Sequence, residues 1–288
     1  MAVLFNRLKD LSEALKLEHT VFALPFAYLA LWVAAQGTPT GSVVVWATLA
    51  AVAARTAGMS FNRLIDLPLD RMNPRTQNWP VASGRIPPGF LTGLAILAAG
   101  LFFFSASQLN PLCLKLAPWA LLLLLIYPMT KRWTWSCHFW LGGVLALAPL
   151  GGWLAVTGQW AWEVLPLSCG VLFWVAGFDL LYALLDLDFD REHSVYSFPK
   201  RFGLKSTLIL SALCHFIAIG CFAWFGVLSA RGVWFWLGWV GVAGLLVQEH
   251  CLVTPQRLDR INKAFFTVNG WVSVSLFLLT LLDLKFSG

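Results

Sequence analysis

Nine apolar runs divide the 288-residue chain, at about 20–36, 43–62, 88–107, 112–130, 137–157, 164–185, 206–227, 232–252 and 264–284. As helices rising ~1.5 Å per residue, runs of this length cross a hydrocarbon core ~30 Å thick. The chain is therefore expected to be all-α: about nine transmembrane helices bundled around a central cavity. Ahead of the first run the pattern changes. Leu4, Leu8, Leu11 and Leu15 recur at helical spacing with Arg7, Lys9, Asp10, Glu13 and Lys16 between them. That predicts an amphipathic helix over 1–19 lying in the membrane interface. A cleaved signal peptide, ending near Ala34-Ala35-Gln36-Gly37, is the rival reading; the amphipathic pattern and the nine-run count favour the interfacial helix.

The polar segments between the runs are unequal. Of 20 Lys and Arg residues, 16 fall before run 1, in 63–87, at 131–132, in 186–205 and in 253–263. Lys115, Arg231 and Lys285 lie on the other side, and Arg55 lies inside a run. Basic loops stay in the cytoplasm, so the N-terminus is expected there. Loops 63–87 and 186–205 are the longest and most polar, and by parity they open onto the same face. Each ends in a turn-rich tail, Asn78-Trp-Pro80-Val-Ala-Ser-Gly84 and Ser197-Phe-Pro199 among them. The two loops are expected to cap the cavity within one domain spanning 1–288. Beyond this faint two-fold pattern no internal repeat is visible.

Composition agrees with a membrane protein: 59% hydrophobic residues, 12% charged, mean hydropathy +0.73. Because the basic residues are spread over membrane-flanking loops, the net charge of +6 is not a nucleic-acid signal. The six cysteines form no C-x-x-C pair and are expected to be reduced core residues, five of them within spans.

Acidic residues, by contrast, are scarce and concentrated. Seven of the 14 are Asp66, Asp70, Asp179, Asp186, Asp188, Asp190 and Glu192, all in two stretches where an apolar run meets a capping loop. Asn62, Asp66 and Asp70 are spaced i, i+4, i+8 and share one helical face; Asp179, Tyr182, Asp186 and Asp190 share another. Solvated helix ends would explain either stretch alone. Two copies on one membrane face point to a site, because ionisable groups at membrane depth are rare without a function. Carboxylate and amide oxygens are hard ligands that suit Mg²⁺, an ion that commonly completes its shell with water and phosphate oxygens. A phosphorylated substrate is thus expected between the metal and basic residues such as Arg63, Arg71, Arg75, Lys131, Lys200 or Arg201. Each of these is also explicable as a topology determinant. Arg55, seven residues before Asn62 and ~10 Å deeper, needs an anionic partner, either structural or substrate.

These motifs resemble the UbiA superfamily of intramembrane aromatic prenyltransferases. Its signatures N-x-x-x-D-x-x-x-D and D-x-x-Y-x-x-x-D-x-x-x-D are matched by Asn62–Asp70 and Asp179–Asp190, and its Y-x-x-x-K by Tyr127-Pro-Met-Thr-Lys131, followed by Arg132. The likeness covers nearly the whole chain. Glu18-His-Thr-Val-Phe-Ala-Leu-Pro-Phe26, Asn73-Pro-Arg-Thr76 and Leu147-Ala-Pro-Leu-Gly-Gly-Trp153 are similar to the branch acting on 1,4-dihydroxy-6-naphthoate, which is hard to separate from the 4-hydroxybenzoate branch. One departure is Leu67-Pro68, where many relatives carry basic residues; a proline there is expected to kink or end the helix between Asp66 and Asp70.

The resemblance implies Mg²⁺-dependent transfer of a polyprenyl group from polyprenyl diphosphate to a ring carbon of an aromatic hydroxy-acid in quinone biosynthesis. It implies Asn62, Asp66, Asp70, Asp179, Asp186 and Asp190 as metal ligands, and Asp66, Asp186, Tyr127 and Lys131 as catalytic. Substrate-binding residues would be Arg55, Arg63, Arg71, Arg75, Lys131, Arg132, Tyr182 and Lys200. Phe22, Phe26, Phe61 and Phe178 are candidates to shield an allylic cation, and Arg55 and Arg132 to hold the acceptor's carboxylate. The expected setting is a prokaryotic plasma (inner) membrane, with the lipid bilayer as a partner and the site loops cytoplasmic. The rival class is a secondary transporter or cation exchanger using the acidic helix ends. Transporters, however, place such residues on broken helices near mid-bilayer.

Overall fold

The computed structural model describes residues 2–16, 20–263 and 267–286; all the regular structure among them is helical. A helix, α1 (Ala2–Leu15), forms where the amphipathic pattern lies; residues 1 and 17–19 of that expected segment lie outside the described residues. The apolar runs then appear as α2 (Thr20–Ala34), α3 (Gly41–Met72), α4 (Pro88–Leu109), α5 (Pro111–Thr130), α6 (Cys137–Thr157) and α7 (Leu165–Tyr182). After a 3₁₀ turn at Ala183–Asp186 come α8 (Leu187–Glu192), α9 (Phe198–Leu228), α10 (Val233–Leu252), the single turn α11 (Ile261–Lys263) and α12 (Asn269–Phe286). Among the described residues, eight segments rather than nine are long and apolar enough to cross a membrane, as expected of an integral membrane protein.

Several boundaries differ from the sequence pattern for physical reasons. The first expected span is a helix of only 15 residues, shorter than a hydrocarbon core. Phe26, Leu29, Ala30 and Leu31 are fully buried by neighbouring helices, so α2 is matched to protein as well as to lipid. α3 runs ten residues past the end of its apolar run, and Pro68 does not end it. The turns beyond Pro68 are held by an Arg63–Asp70 ion pair, by Thr76 Oγ1 donating to the Asp70 carbonyl and by Asn73 N–H donating to Leu69 O. Loop 63–87 therefore shrinks to 73–87, and α8 and the start of α9 occupy most of 186–205. Within α9, Gly203 at φ +79° separates a short amphipathic turn from the membrane-crossing length. Residues 264–266 of the last expected run lie outside the described residues.

α7 is the axis of the bundle, flanked by α6 and α9. Its Trp174 is fully buried, ring-packed against Phe22, Phe26 and Phe178. Close approach depends on glycine: a Cβ on Gly142 would overlap the Leu172 carbonyl of α7, and one on Gly152 the Ala27 carbonyl of α2. α1 is clamped to loop 73–87 by ion pairs from Arg85 to Asp10 and Glu13 and by Ala14 and Leu15 packing on Val81, Ile86 and Leu91. The six cysteines are all unpaired, but only Cys214 is buried; Cys169 and Cys251 are exposed.

Candidate active site

Helix ends gather the acidic stripes. The last turns of α3, the C-terminus of α5, the first turn of α6 and the α7–α8 junction enclose a polar pocket of about 270 Å³. Asn62, Asp66, Asp70, Asp179, Asp186 and Asp190 all line it, with Arg63, Arg75, Tyr127, Lys131 and Tyr182. The second stripe is not one continuous α-helix: the 3₁₀ turn tightens it between Tyr182 and Leu187, yet its four polar residues still face one pocket.

Inside, carboxylates and cations satisfy one another. Lys131 Nζ lies 2.5 Å from Asp66 Oδ2, and Arg63 Nη1 3.1 Å from Asp70 Oδ2. Arg75 grips Asp186 through Nε–Oδ1 at 2.8 Å and Nη2–Oδ2 at 2.5 Å and reaches the Tyr182 hydroxyl at 3.1 Å. Burial acts to lower the Arg75 pKa, but hydrogen bonding and attraction from Asp186 outweigh it and leave the guanidinium above its ordinary value. Asn73 Nδ2 adds a bond to Asp186 Oδ1 at 2.9 Å, Ser197 donates to Asp190 Oδ2 at 2.7 Å, and His138 Nδ1 meets Asp179 Oδ2 at 2.7 Å. Arg63 and Arg75 also stack over the Trp79 ring, at 4.3 and 5.4 Å, as does Lys16 at 4.5 Å.

Not every expected residue reaches this pocket. Arg71 donates to Ala82 O at 3.4 Å on the exposed side, and Lys200 Nζ to His193 O at 2.7 Å. Arg132 Nη2 turns to Ile65 O at 2.6 Å, and Arg201 lies over Trp135 and Phe202. Arg55, bonded to Lys16 O at 2.8 Å, lines a second, mainly apolar cavity of about 620 Å³. That cavity runs between α2, α3, α5 and α6, with Phe22 and Phe178 in its wall; Phe26 and Phe61 are not part of it. Asn62, Arg63, Trp79, Tyr127, Asp179 and Tyr182 line both spaces and form the neck between them. Trp79 and His138 carried no signal in the sequence: each is an isolated residue with no periodic partner.

The chain belongs to the UbiA prenyltransferase family, which matches residues 23–272. It is similar to the 4-hydroxybenzoate octaprenyltransferases of Paraburkholderia phytofirmans (31% identical over 251 residues, 86% of each chain) and Marinobacter nauticus (30% over 287 residues, 97% of this chain and 96% of the relative). Among solved structures, a UbiA homologue from Aeropyrum pernix superposes with a TM-score of 0.85 at 31% identity, covering 92% of this chain and 98% of its own. A UbiA homologue from Archaeoglobus fulgidus, bound to DMAPP and Mg²⁺, shares the fold at a TM-score of 0.73 and 16% identity, over 96% of this chain and 99% of its own. The protein is thus a UbiA-family prenyltransferase, and the transporter reading is set aside.

Among the described residues no three acidic, histidine or cysteine side chains are drawn together as a metal shell, since the carboxylates are turned onto cations, but one oxygen has the chemistry a divalent cation would satisfy. Asp66 Oδ1 is buried with no hydrogen-bond partner and only a distant guanidinium at 3.9 Å, a costly state that a bound cation would relieve. Arg63 Nε is likewise buried and unsatisfied, and suited to a phosphate oxygen.

Proposed function

We propose that this prenyltransferase transfers a polyprenyl group from polyprenyl diphosphate to a ring carbon of an aromatic hydroxy-acid, 4-hydroxybenzoate or 1,4-dihydroxy-6-naphthoate, in quinone biosynthesis. One observation carries the reading: an oxygen- and cation-lined pocket opens through a polar neck into an apolar cavity more than twice its volume. A diphosphate belongs in the first and its hydrocarbon tail in the second. The names of the bacterial relatives, which specify 4-hydroxybenzoate and an octaprenyl group, point the same way.

Asn62, Asp66, Asp70, Asp179, Asp186 and Asp190 are the side chains that would hold Mg²⁺. Bound there with the diphosphate, the ion would neutralise charge developing on the leaving group. Lys131, Arg63 and Arg75 now spend their charge on Asp66, Asp70 and Asp186. With a metal held by those carboxylates, Lys131, Arg63 and Arg75 would be available to bind diphosphate oxygens, with the Tyr127 and Tyr182 hydroxyls as further donors. The C–O bond of the allylic diphosphate then breaks toward these cations. Phe22 and Phe178 line the space where the allylic cation must be kept from water and present π-faces to it. The acceptor's electron-rich ring carbon forms the new C–C bond, and loss of the ring proton restores aromaticity. Arg55 in the apolar cavity provides the charge that an acceptor carboxylate needs once desolvated. The concentration of Lys and Arg in these loops supports a cytoplasmic site, and the bacterial relatives support a plasma (inner) membrane.

Turnover of purified protein with Mg²⁺, octaprenyl diphosphate and a panel of acceptors tests this reading. Prenylated product is expected with 4-hydroxybenzoate or 1,4-dihydroxy-6-naphthoate, and little with homogentisate. Product from homogentisate alone would overturn it.

A further inference from the structure

Asp179, which lines both cavities, is held by a histidine and not by a lysine or arginine. Asp66, Asp70 and Asp186 are paired with Lys131, Arg63 and Arg75, cations that a diphosphate would claim. Asp179 instead meets a histidine. His138, in the first turn of α6 and only 3% exposed, places Nδ1 2.7 Å from Asp179 Oδ2. Its other nitrogen is fixed as well: the Phe198 backbone N–H, at the start of α9, donates to Nε2 at 3.4 Å. Heavy-atom geometry with Nε2 accepting and Nδ1 against the carboxylate corresponds to the tautomer with its hydrogen on Nδ1. The imidazole thus locks one Asp179 oxygen and is itself locked by a third helix. The Asp179 side chain still keeps 24% of its surface open, against 6% for Asp66, and it lines both cavities at the neck.

We propose that His138 is a positioning residue for prenyl transfer, holding Asp179 Oδ2 so that the remaining carboxylate oxygen faces the neck where diphosphate, allylic carbon and acceptor meet. This rests on the proposed transfer reaction. When substrate draws Lys131, Arg63 and Arg75 away, three carboxylates lose their cationic partners, whereas the hold on Asp179 is made by a group that the diphosphate does not compete for. The Asp179 oxygen at the neck therefore stays preset throughout the cycle, as Asp190 is by Ser197 at the far end of the stripe.

Three substitutions separate this role from a packing one. In His138→Asn the amide nitrogen stands where Nδ1 stood, in His138→Gln where Nε2 stood, and His138→Leu has neither. The Leu and Gln variants should lose kcat by ~10–100-fold, as is typical when the partner that orients a metal-site ligand is lost, while Asn stays within about threefold. The KM for prenyl diphosphate should not move in any of them. In an Asp179→Asn background, His138→Leu should cost nothing more. A readout without substrate stands beside these: ¹⁵N-histidine NMR of wild-type protein, assigned by loss of the signal in His138→Asn, should show the Nδ1–H tautomer, and Asp179→Leu should abolish that preference. If Gln restores as well as Asn, if Leu retains kcat, or if the wild-type ring carries its hydrogen on Nε2, the proposal falls. Failure of the acceptor reading would appear separately, as wild-type protein inactive on either hydroxy-acid with the NMR result unchanged.

Discussion

Arg75 holds Asp186 by two parallel hydrogen bonds across 111 residues of sequence, tying the loop after α3 to the 3₁₀ turn after α7. Such a fork is the strongest arrangement of guanidinium and carboxylate, and it joins the two acidic motifs without a metal. On the proposed reading this fork is what substrate binding would have to undo, with Asp186 turning to metal and Arg75 to diphosphate.

Asp186→Asn and Asp66→Asn should therefore lower turnover by roughly 100-fold or more, by removing charge from the metal side of the exchange. Chelation of Mg²⁺ should abolish activity in the wild type, and readdition should restore it. Initial rates across a Mg²⁺ titration check this. A near-wild-type rate in either variant would remove these carboxylates from the chemistry.

Arg55 and Arg132 now have different expectations. Arg55 lines the apolar cavity, whereas Arg132 spends its donor on Ile65 O and lines neither space. With prenyl diphosphate saturating, Arg55→Ala should raise the acceptor KM by ~10-fold or more, the loss of a charge-assisted contact, and Arg132→Ala by about twofold at most. The reverse pattern would move the carboxylate to Arg132.

Adjacent glycines of α6 provide a packing test. A methyl at Gly152 would meet the Ala27 backbone oxygen, which cannot step aside as a side chain can, while nothing lies within 4 Å of one at Gly151. Gly152→Ala should cost ~1–3 kcal/mol by forcing α2 and α6 apart. Gly151→Ala should be neutral or slightly stabilising, by up to ~1 kcal/mol. Thermal unfolding in detergent distinguishes them, and equal midpoints would refute the close approach.

Ser83, Ser194 and Thr40 are exposed. In a background without native thiols, cysteines at the first two should react with an impermeant reagent from the cytoplasmic side and one at Thr40 from the other. Labelling of Ser83→Cys and Ser194→Cys from opposite sides would be incompatible with a shared site.

The polar stripes were legible because helical periodicity is local. Spacings of three and four residues suffice to put Asn62, Asp66 and Asp70 on one face, and the hydrophobic runs locate every described membrane helix to within a few residues, except where α3 and α9 extend beyond their apolar lengths. Those extensions, at the end of α3 and the start of α9, were hidden because the added turns carry polar residues. They are held by contacts such as Arg63–Asp70 and Thr76–Asp70 that hydropathy does not register.

What the sequence determined by itself was the inventory: membrane helices, the face that carries the positive charge, and two acidic stripes on that face. The tertiary structure alone decided the pairing. Lys131 and Arg132 are neighbours, yet one meets the Asp66 carboxylate and the other turns chiefly to a backbone carbonyl. His138, an isolated polar residue at the start of an apolar run, becomes the anchor of Asp179 once α6, α7 and α9 converge. Periodicity fixes which way a side chain leaves its own helix. Which partner it finds depends on how closely helices distant in sequence approach, and contacts such as Gly142 on Leu172 set that distance.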